Sequence, residues 1–188
     1  MKMATLKERR LDDLAIWEKI PPLLTAAELG VPEAEWAVFC ERMAKRLAAE
    51  SADVAAELVI NIDGAARGNP GPAAIGVVIK DRADNVIREM HRRIGIATNN
   101  VAEYQALLAA LDLALELKGR ALHIRTDSEL MARQINGQYR VKNTQLLKLY
   151  HIAVEKLHHF EHWHIEHVPR QKNRRADQLA NLALDGPE

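Results

Sequence analysis

The sequence predicts an α/β fold in which one mixed sheet is flanked by helices, and two observations support this prediction. From residue 57 onward, three strand-like segments come first, and strands then alternate with helices to the end of the chain. Strands joined by hairpins pair antiparallel, whereas strand–helix–strand connections place strands in parallel. In addition, 48% of the 188 residues are hydrophobic, so the chain can bury a core of ordinary size.

The predicted elements follow from hydrophobic periodicity and from helix-ending residues. Apolar side chains at every second position between 58 and 62 indicate the first strand, and residues 75–79 and 86–94 indicate two more. The polar connection 81–85 predicts that these two strands form a hairpin. The remaining elements, in chain order, are a helix over 100–118 that is ended by Gly119, a strand over 121–126, helices over about 128–137 and 143–158 that are capped by Ser128 and Asn143, a strand over 161–168, and a helix over 174–184.

The chain divides into two predicted parts. Residues 1–56 form a small helical N-terminal extension, and residues 57–188 form the domain that contains the sheet. Within the extension, Pro32 opens an amphipathic helix that runs to about residue 49. Its apolar side, which includes Trp36, could cover the sheet of the same chain or contact another protein, and the sequence leaves both options open.

Charge and composition exclude several classes of protein. The 26 basic and 26 acidic side chains give a net charge of zero, which excludes binding to nucleic acid or membrane by bulk charge alone. The charges are unevenly divided, with a net of −3 over residues 1–57 and +3 over 58–188. Cys40 is the single cysteine, so an intramolecular disulfide is excluded. The charged N-terminus and the shortness of the longest apolar run, 73–79, predict a soluble cytoplasmic protein without membrane segments.

Four carboxylates occupy positions where the sites of α/β proteins are usually built. Asp63 is predicted at the end of the first strand, Glu103 in the first turn of the long helix, Asp127 directly after the strand 121–126, and Asp177 in the first turn of the last helix. Loops converge at such strand ends and helix N-termini. Each acid alone could be a helix cap or a surface charge. We expect the four to share one pocket, because each lies in a local sequence with its own signature.

Together, those local sequences resemble the type 1 ribonuclease H family over about residues 57–184. The matching blocks, in chain order, are DGAARGNPGP at 63–72, TNNVAEYQALL at 98–108, TDS at 126–128 and NRRADQLA at 173–180. The resemblance implies a ribonuclease H-like five-stranded mixed sheet. It also implies an endoribonuclease that cleaves the RNA strand of RNA–DNA hybrids and leaves 5′-phosphate and 3′-hydroxyl ends.

Clustered carboxylates need a counter-charge, because without one they repel and some stay protonated. Oxygen-only ligands select hard cations, which predicts Mg²⁺ with Mn²⁺ as a substitute. The resemblance implies two ions, with Asp63 contacting both, Asp177 holding the ion that activates water, and Glu103 and Asp127 holding the ion near the leaving group. A carboxylate turned out of the pocket, or paired with a nearby arginine, would count against this interpretation.

The same resemblance nominates substrate-binding residues. Asparagine side chains suit sugar hydroxyls and base edges in a minor groove, although they are also common in turns and helix caps. Glycines without a Cβ allow the backbone to approach a nucleic-acid strand. The nominated residues are Gly64, Asn69, Asn99, Asn100, Ser128, Arg170 and Asn173.

The chain also departs from the family pattern. Many members have a histidine in the loop before the last acid, but here His167 continues a predicted strand, and Arg170 is left to assist electrostatically without acting as a base. The connection 136–143 is short, which resembles the compact, archaeal-type branch without a basic protrusion. We therefore expect weak, salt-sensitive substrate binding.

Three hypotheses remain open on the sequence alone. The first is the active nuclease, the second is a low-activity or inactive nucleic-acid-binding member of the fold, and the third is a partner-binding role for residues 1–56. Activity on double-stranded RNA is also open. Six of the eight histidines fall between His151 and His167, but their spacing fits no closed zinc set, and we expect no zinc site there.

Overall fold

The computed structural model describes Ala27, residues 30–43 and residues 57–186. The chain divides into two compact units, Met1–Val54 and Ala55–Glu188. In the first unit the structure describes a helix over 33–43, which begins after Pro32 as expected, and the predicted continuation to residue 49 lies outside the described residues. The assignment of these units to an extension and a catalytic domain stays a prediction.

The second unit contains the predicted five-stranded mixed sheet. Its strands lie in the order β3-β2-β1-β4-β5. β1 pairs antiparallel with β2, and β2 with β3, whereas β1 and β4, and β4 and β5, are parallel. The strands are β1 (Glu57–Ala66), β2 (Gly71–Lys80), β3 (Val86–Ala97), β4 (Ala121–Thr126) and β5 (His162–His167).

Helices cover both faces of this sheet. The main core contains Leu58, Ile60 and Ile62 of β1 together with residues of the helix that follows β3. Two smaller clusters contain Ala74 and Val78 of β2, which pack against the last helix. Alternate residues of a strand point to opposite faces, so these two helices lie on opposite sides of the sheet. The helices are α1 (Asn99–Glu116), α2 (Glu129–Ile135), α3 (Thr144–Leu157) and α4 (Arg174–Asp185), with a short 3₁₀ helix at Arg170–Lys172.

The C-terminus of α1 differs from the sequence-based prediction. Lys118, not Gly119, adopts the left-handed conformation, with φ of 55°. Gly119 instead packs closely on β1, because a Cβ there would lie 2.6 Å from Cδ1 of Leu58, which would have to shift. The glycine therefore serves close packing against β1 and not a left-handed turn.

Within the described residues, we find no helix with both the length and the apolar character needed to cross a membrane.

Candidate active site

The first two acids meet because of how β1 and β4 pair. The parallel pairing of the two strands ends where Ile62 lies opposite Thr126. Asp63 and Asp127 are the residues that directly follow this pair, so they lie side by side. The sequence predicted that Asp63 ends the first strand, but β1 continues to Ala66 and pairs there with β2 alone. The site therefore forms where β1 loses its parallel neighbour.

Glu103 reaches the same place from α1, and Gly64 makes this possible. Glu103 is the fifth residue of α1 and so lies beyond its first turn, a correction to the predicted position. A Cβ on Gly64 would lie 2.2 Å from the carbonyl carbon of Ala102 and 2.2 Å from the nitrogen of Glu103. The backbone N–H of Gly64 also donates to the Glu103 carboxylate. The missing side chain of Gly64 thus serves contact with α1, whereas we expected it to allow approach to substrate.

These three acids form a compact, buried cluster. Ligand oxygens of Asp63, Glu103 and Asp127 all lie within 4.8 Å of one another, and Asp63 and Glu103 are each only 5% exposed. Burial, followed by the charges of Asp127 and Asp177, raises the pKa of Asp63 from 3.8 to about 7. Burial and the charges of Asp63 and Asp127 also raise the pKa of Glu103 well above its ordinary value. The cluster therefore lacks a cationic partner sufficient to keep all of its carboxylates ionised at neutral pH.

The donor set fits a hard divalent cation. Oε2 of Glu103 is buried and has no hydrogen-bond partner in the described structure. An unpaired buried acceptor is costly, and a cation between the carboxylates removes that cost together with their mutual repulsion. All donors are carboxylate oxygens, the ligands that Mg²⁺ and Mn²⁺ prefer.

Asp177 does not join the three-acid cluster. Its Oδ1 lies 2.5 Å from a guanidinium nitrogen of Arg170, and this is the arginine pairing that the sequence analysis named as evidence against a four-acid site. The charge of Asp177 nevertheless raises the pKa of Asp63, so the carboxylate is near the cluster. The Arg170 side chain is 72% exposed and the Asp177 side chain is 22% exposed. The arginine can therefore turn to solvent and leave the carboxylate to a divalent cation.

Asn173 links three elements of the site from a buried position. It is 1% exposed. Its Nδ2 donates to the carbonyl oxygen of Ile62 at 2.8 Å and to Oδ1 of Asp127 at 3.3 Å, and its Oδ1 accepts from Nδ2 of Asn61 at 3.1 Å. Asn173 is therefore placed to orient Asp127, whereas the sequence predicted that it contacts substrate.

The other nominated polar residues lie at the surface around the acids. Asn69, Asn99 and Asn100 are exposed, and Oδ1 of Asn69 accepts the backbone N–H of Asn99 at 3.1 Å. Thr98, not an asparagine, caps α1, because its Oγ1 accepts the N–H of Val101. The amides of Asn99 and Asn100 are therefore not used as helix caps.

Ser128 is half-buried and directly follows Asp127. It stands at the N-cap position of α2, but its side chain makes no capping hydrogen bond. Instead, its backbone N–H donates to Oγ1 of Thr126 at 3.0 Å. This bond fixes the chain on both sides of Asp127.

Sequence reasoning missed Asn61 as a site residue. Asn61 lies two positions before Asp63, so the two side chains share one face of β1. A buried amide within a strand that is otherwise apolar requires hydrogen-bond partners, and that requirement was the available signal. Its partner Asn173 is 112 residues away, which no local pattern could indicate.

Several known proteins are similar in sequence to the part of the chain that contains this site. The family described as Reverse transcriptase-like matches residues 61–183. The ribonuclease HI of Halobacterium salinarum is 46% identical over 123 residues, which make up 65% of this chain and 62% of that protein. A bifunctional protein of Mycobacterium tuberculosis is 45% identical over 131 residues, but these are only 36% of its length. The chain thus spans less than two thirds of these curated relatives.

Solved structures show the same similarity in three dimensions. The RNase H1 of Halobacterium salinarum superposes with a TM-score of 0.68 at 43% identity, covering 69% of this chain and 98% of that one. An N-terminal RNase H domain from Mycobacterium tuberculosis gives 0.67 at 44% identity, covering 69% and 99%. LC11-RNase H1, solved in complex with an RNA/DNA hybrid, gives 0.65 at 42% identity, covering 68% and 96%.

The four acid-bearing sequence blocks all fall inside the matched segment 61–183. The match covers well over half of the chain, and the sheet, its strand order and the acid cluster agree with it. The chain belongs to the type 1 ribonuclease H family.

Proposed function

We propose that this protein is an endoribonuclease that hydrolyses the RNA strand of RNA–DNA hybrids and leaves 5′-phosphate and 3′-hydroxyl ends. The observation that carries the proposal is the largely buried cluster of Asp63, Glu103 and Asp127, in which the acids raise one another's pKa and Oε2 of Glu103 has no hydrogen-bond partner in the described structure. A protein that only binds nucleic acid gains nothing from clustered negative charge beside phosphate, since like charges repel. The similarity to LC11-RNase H1, whose structure contains an RNA/DNA hybrid, supports the substrate class.

The cofactor in this proposal is a pair of Mg²⁺ ions, for which Mn²⁺ can substitute. Asp63 would contact both ions, Glu103 and Asp127 would hold the one near the leaving group, and Asp177 would complete the other after leaving Arg170. Such a pair supplies Lewis acidity for an in-line displacement at phosphorus. Gly64 and Asn173 keep these carboxylates in position through the contacts described above.

The surface around the acids would bind the hybrid. Asn69, Asn99, Asn100 and Ser128 offer neutral donors and acceptors, which suit the sugar hydroxyls and base edges of a minor groove. Arg170 offers an exposed cation next to Asp177, which can contact a phosphate but cannot act as a base at neutral pH.

A second candidate function is a low-activity or inactive nucleic-acid-binding protein. Two observations favour it: the Arg170–Asp177 ion pair, and the lack of a histidine in the described loop 169–172. General acid–base groups typically contribute about 10²–10⁴-fold in rate, so the lack of one would slow turnover.

One experiment separates the two functions. Wild type and Asp127→Asn are incubated with a labelled RNA–DNA hybrid in Mg²⁺, in Mn²⁺ or in EDTA, with double-stranded RNA as a parallel substrate. We expect wild type alone to cleave the RNA strand of the hybrid, and EDTA to abolish cleavage. Tight binding of the hybrid without cleavage in either metal would instead establish the binding protein.

The role of residues 1–56 is a separate proposal. Val38 of the described helix is 54% exposed, which supports an apolar surface on this segment. Removal of residues 1–56 should leave hybrid cleavage intact. If it also lowers solubility without altering the oligomeric state, the segment covers its own chain and does not bind a partner.

A further inference from the structure

A second group of metal-ligand side chains lies on the sheet face that carries α4. That helix lies over β1, β2 and β3. On β4 and β5, the alternate residues that point to the same face are partly open to solvent. The parallel register sets His123 directly beside His164, and Arg125 beside Glu166. The register therefore brings two histidines and a carboxylate from two strands onto one open surface.

The three potential ligands converge. One ligand atom each from His123, His164 and Glu166 lies within 4.8 Å of the other two. Nε2 of His123 is buried and lies 2.8 Å from Oε1 of Glu166, so this imidazole and this carboxylate are already in contact. The two side chains are therefore held together at the distance that two ligands of one ion require.

The donor set differs in kind from that of the acid cluster. Two imidazoles and one carboxylate are ligands of Zn²⁺ and of related borderline ions, whereas Mg²⁺ requires oxygen donors. Zinc–ligand distances of about 2.0–2.2 Å place tetrahedral ligand atoms about 3.3 Å apart. The separations between 2.8 and 4.8 Å bracket this value, so small side-chain rotations are sufficient.

We propose that His123, His164 and Glu166 form a binding site for one Zn²⁺ ion, separate from the acid cluster. Three protein ligands leave a fourth position to water, because His164 is exposed. No zinc site was expected from the sequence, because the histidines that lie close together in the chain fit no closed zinc set. The third ligand comes from β4, and only the strand register reveals it.

Arg125 is the main competitor for this site. Its Nε lies 3.1 Å from the same Oε1 of Glu166. The arginine side chain is only partly buried, so it can turn to solvent when an ion binds. Replacement of Arg125 by alanine should tighten zinc binding by removing this competing charge.

The test is a titration of the full-length protein with Zn²⁺ in the presence of excess Mg²⁺. Excess magnesium competes with zinc for the oxygen-only sites, and the histidine variants assign the remaining zinc binding to the histidine site. We expect one equivalent per chain for wild type, and at least about a tenfold loss of affinity for His123→Ala, His164→Ala and Glu166→Gln, since loss of even an outer-shell partner costs that much. His159→Ala, an exposed histidine after α3, serves as the matched control and should bind as wild type does.

A second measurement guards against misfolded variants. Zinc that links β4 to β5 should raise the melting temperature of wild type, of Arg125→Ala and of His159→Ala, but not that of His164→Ala. The metal-free melting temperature of His164→Ala shows whether the variant is folded. The proposal is overturned if wild type binds no zinc in excess Mg²⁺, or if His123→Ala and His164→Ala both bind it with wild-type affinity.

Discussion

At the scale of single residues, the surroundings of Asp63 change its ionisation strongly. Asp63 is buried beside other acids, and its pKa rises from 3.8 to about 7 for that reason. The metal-free protein therefore keeps a proton in the cluster at pH values where an ordinary aspartate is fully ionised. Metal binding must release that proton, so the metal affinity of this site depends on pH.

This environment predicts how stability depends on pH. Between about pH 4 and pH 7 the folded protein retains a proton at Asp63 that the unfolded chain releases, so the free energy of unfolding in EDTA should fall as the pH rises through this window. The full shift corresponds to at most about 4 kcal/mol. Urea unfolding at a series of pH values measures the decline, and Asp63→Asn should flatten it. An equally steep decline in that variant would contradict the assignment.

Arg170 is the second residue whose effect can be measured directly. Arg170→Ala should slow hybrid cleavage by about ten- to a hundredfold, because a charge-assisted hydrogen bond to phosphate contributes about 1.5–3 kcal/mol. The same change frees Asp177, so Mg²⁺ should bind more tightly in the absence of substrate. Steady-state rates and Mg²⁺ titration provide the two readouts. Arg120→Ala, another exposed arginine paired with a carboxylate, is the control, and equal rates for the two variants would exclude the role of Arg170.

At the scale of elements, the site depends on how closely the helices approach the sheet. Gly64 lets α1 contact β1, and Gly76 does the same for α4 and β2, since a Cβ there would lie 2.2 Å from the carbonyl oxygen of Ala176. One glycine on each face of the sheet thus fixes the depth at which a helix packs. Glu103 and Asp177 are carried by these two helices, so their positions relative to Asp63 depend on this packing.

Gly64→Ala tests that dependence. The added methyl group would meet backbone atoms, which cannot move aside as a flexible side chain can. We expect a loss of about 1–3 kcal/mol in the free energy of unfolding, which is typical of overpacking, together with weaker Mg²⁺ binding as Glu103 moves away. Urea unfolding and metal titration measure both effects. Gly186→Ala, where the nearest atom would be 3.3 Å away, is the control and should lower the free energy of unfolding less than Gly64→Ala does, without changing Mg²⁺ binding.

At the scale of the whole molecule, net charge affects how tightly the protein binds a polyanion such as a nucleic acid. The net charge is zero, and residues 58–188 carry only a small positive excess. Few unbalanced basic side chains are therefore available to replace the counterions of an RNA–DNA hybrid.

Salt dependence of binding tests this point. The affinity of Asp127→Asn for a hybrid should be weak and should fall with salt, with a slope that corresponds to only a few phosphate contacts. Fluorescence anisotropy over a range of KCl concentrations gives the slope. A slope near −10, like that of a strongly basic DNA-binding protein, would show that a larger cationic surface is used.

The sequence predicted the fold and the acid-bearing elements well, because these depend on local patterns. Alternation of apolar residues, the hairpin connection and the cap at Asn143 are all confirmed. The pairing of Asp177 with Arg170, the link between Asn61 and Asn173, and the convergence of His123 with His164 were not predicted. Each of these depends on a side-chain rotamer or on strand register, which tertiary packing sets.

The pairing of β1 also limits which mutations this protein can accept during evolution. Ile62 points into the core and Asp63 points to the other face, so the spacing from the start of β1 to Asp63 matters more than the identity of the intervening side chains. Deleting one residue of β1 before Asp63 would move the carboxylate to the position of Ile62, in the hydrocarbon interior, and would place Gly64 where the acid now lies. Lineages should therefore accept many substitutions in this stretch but almost no insertions or deletions.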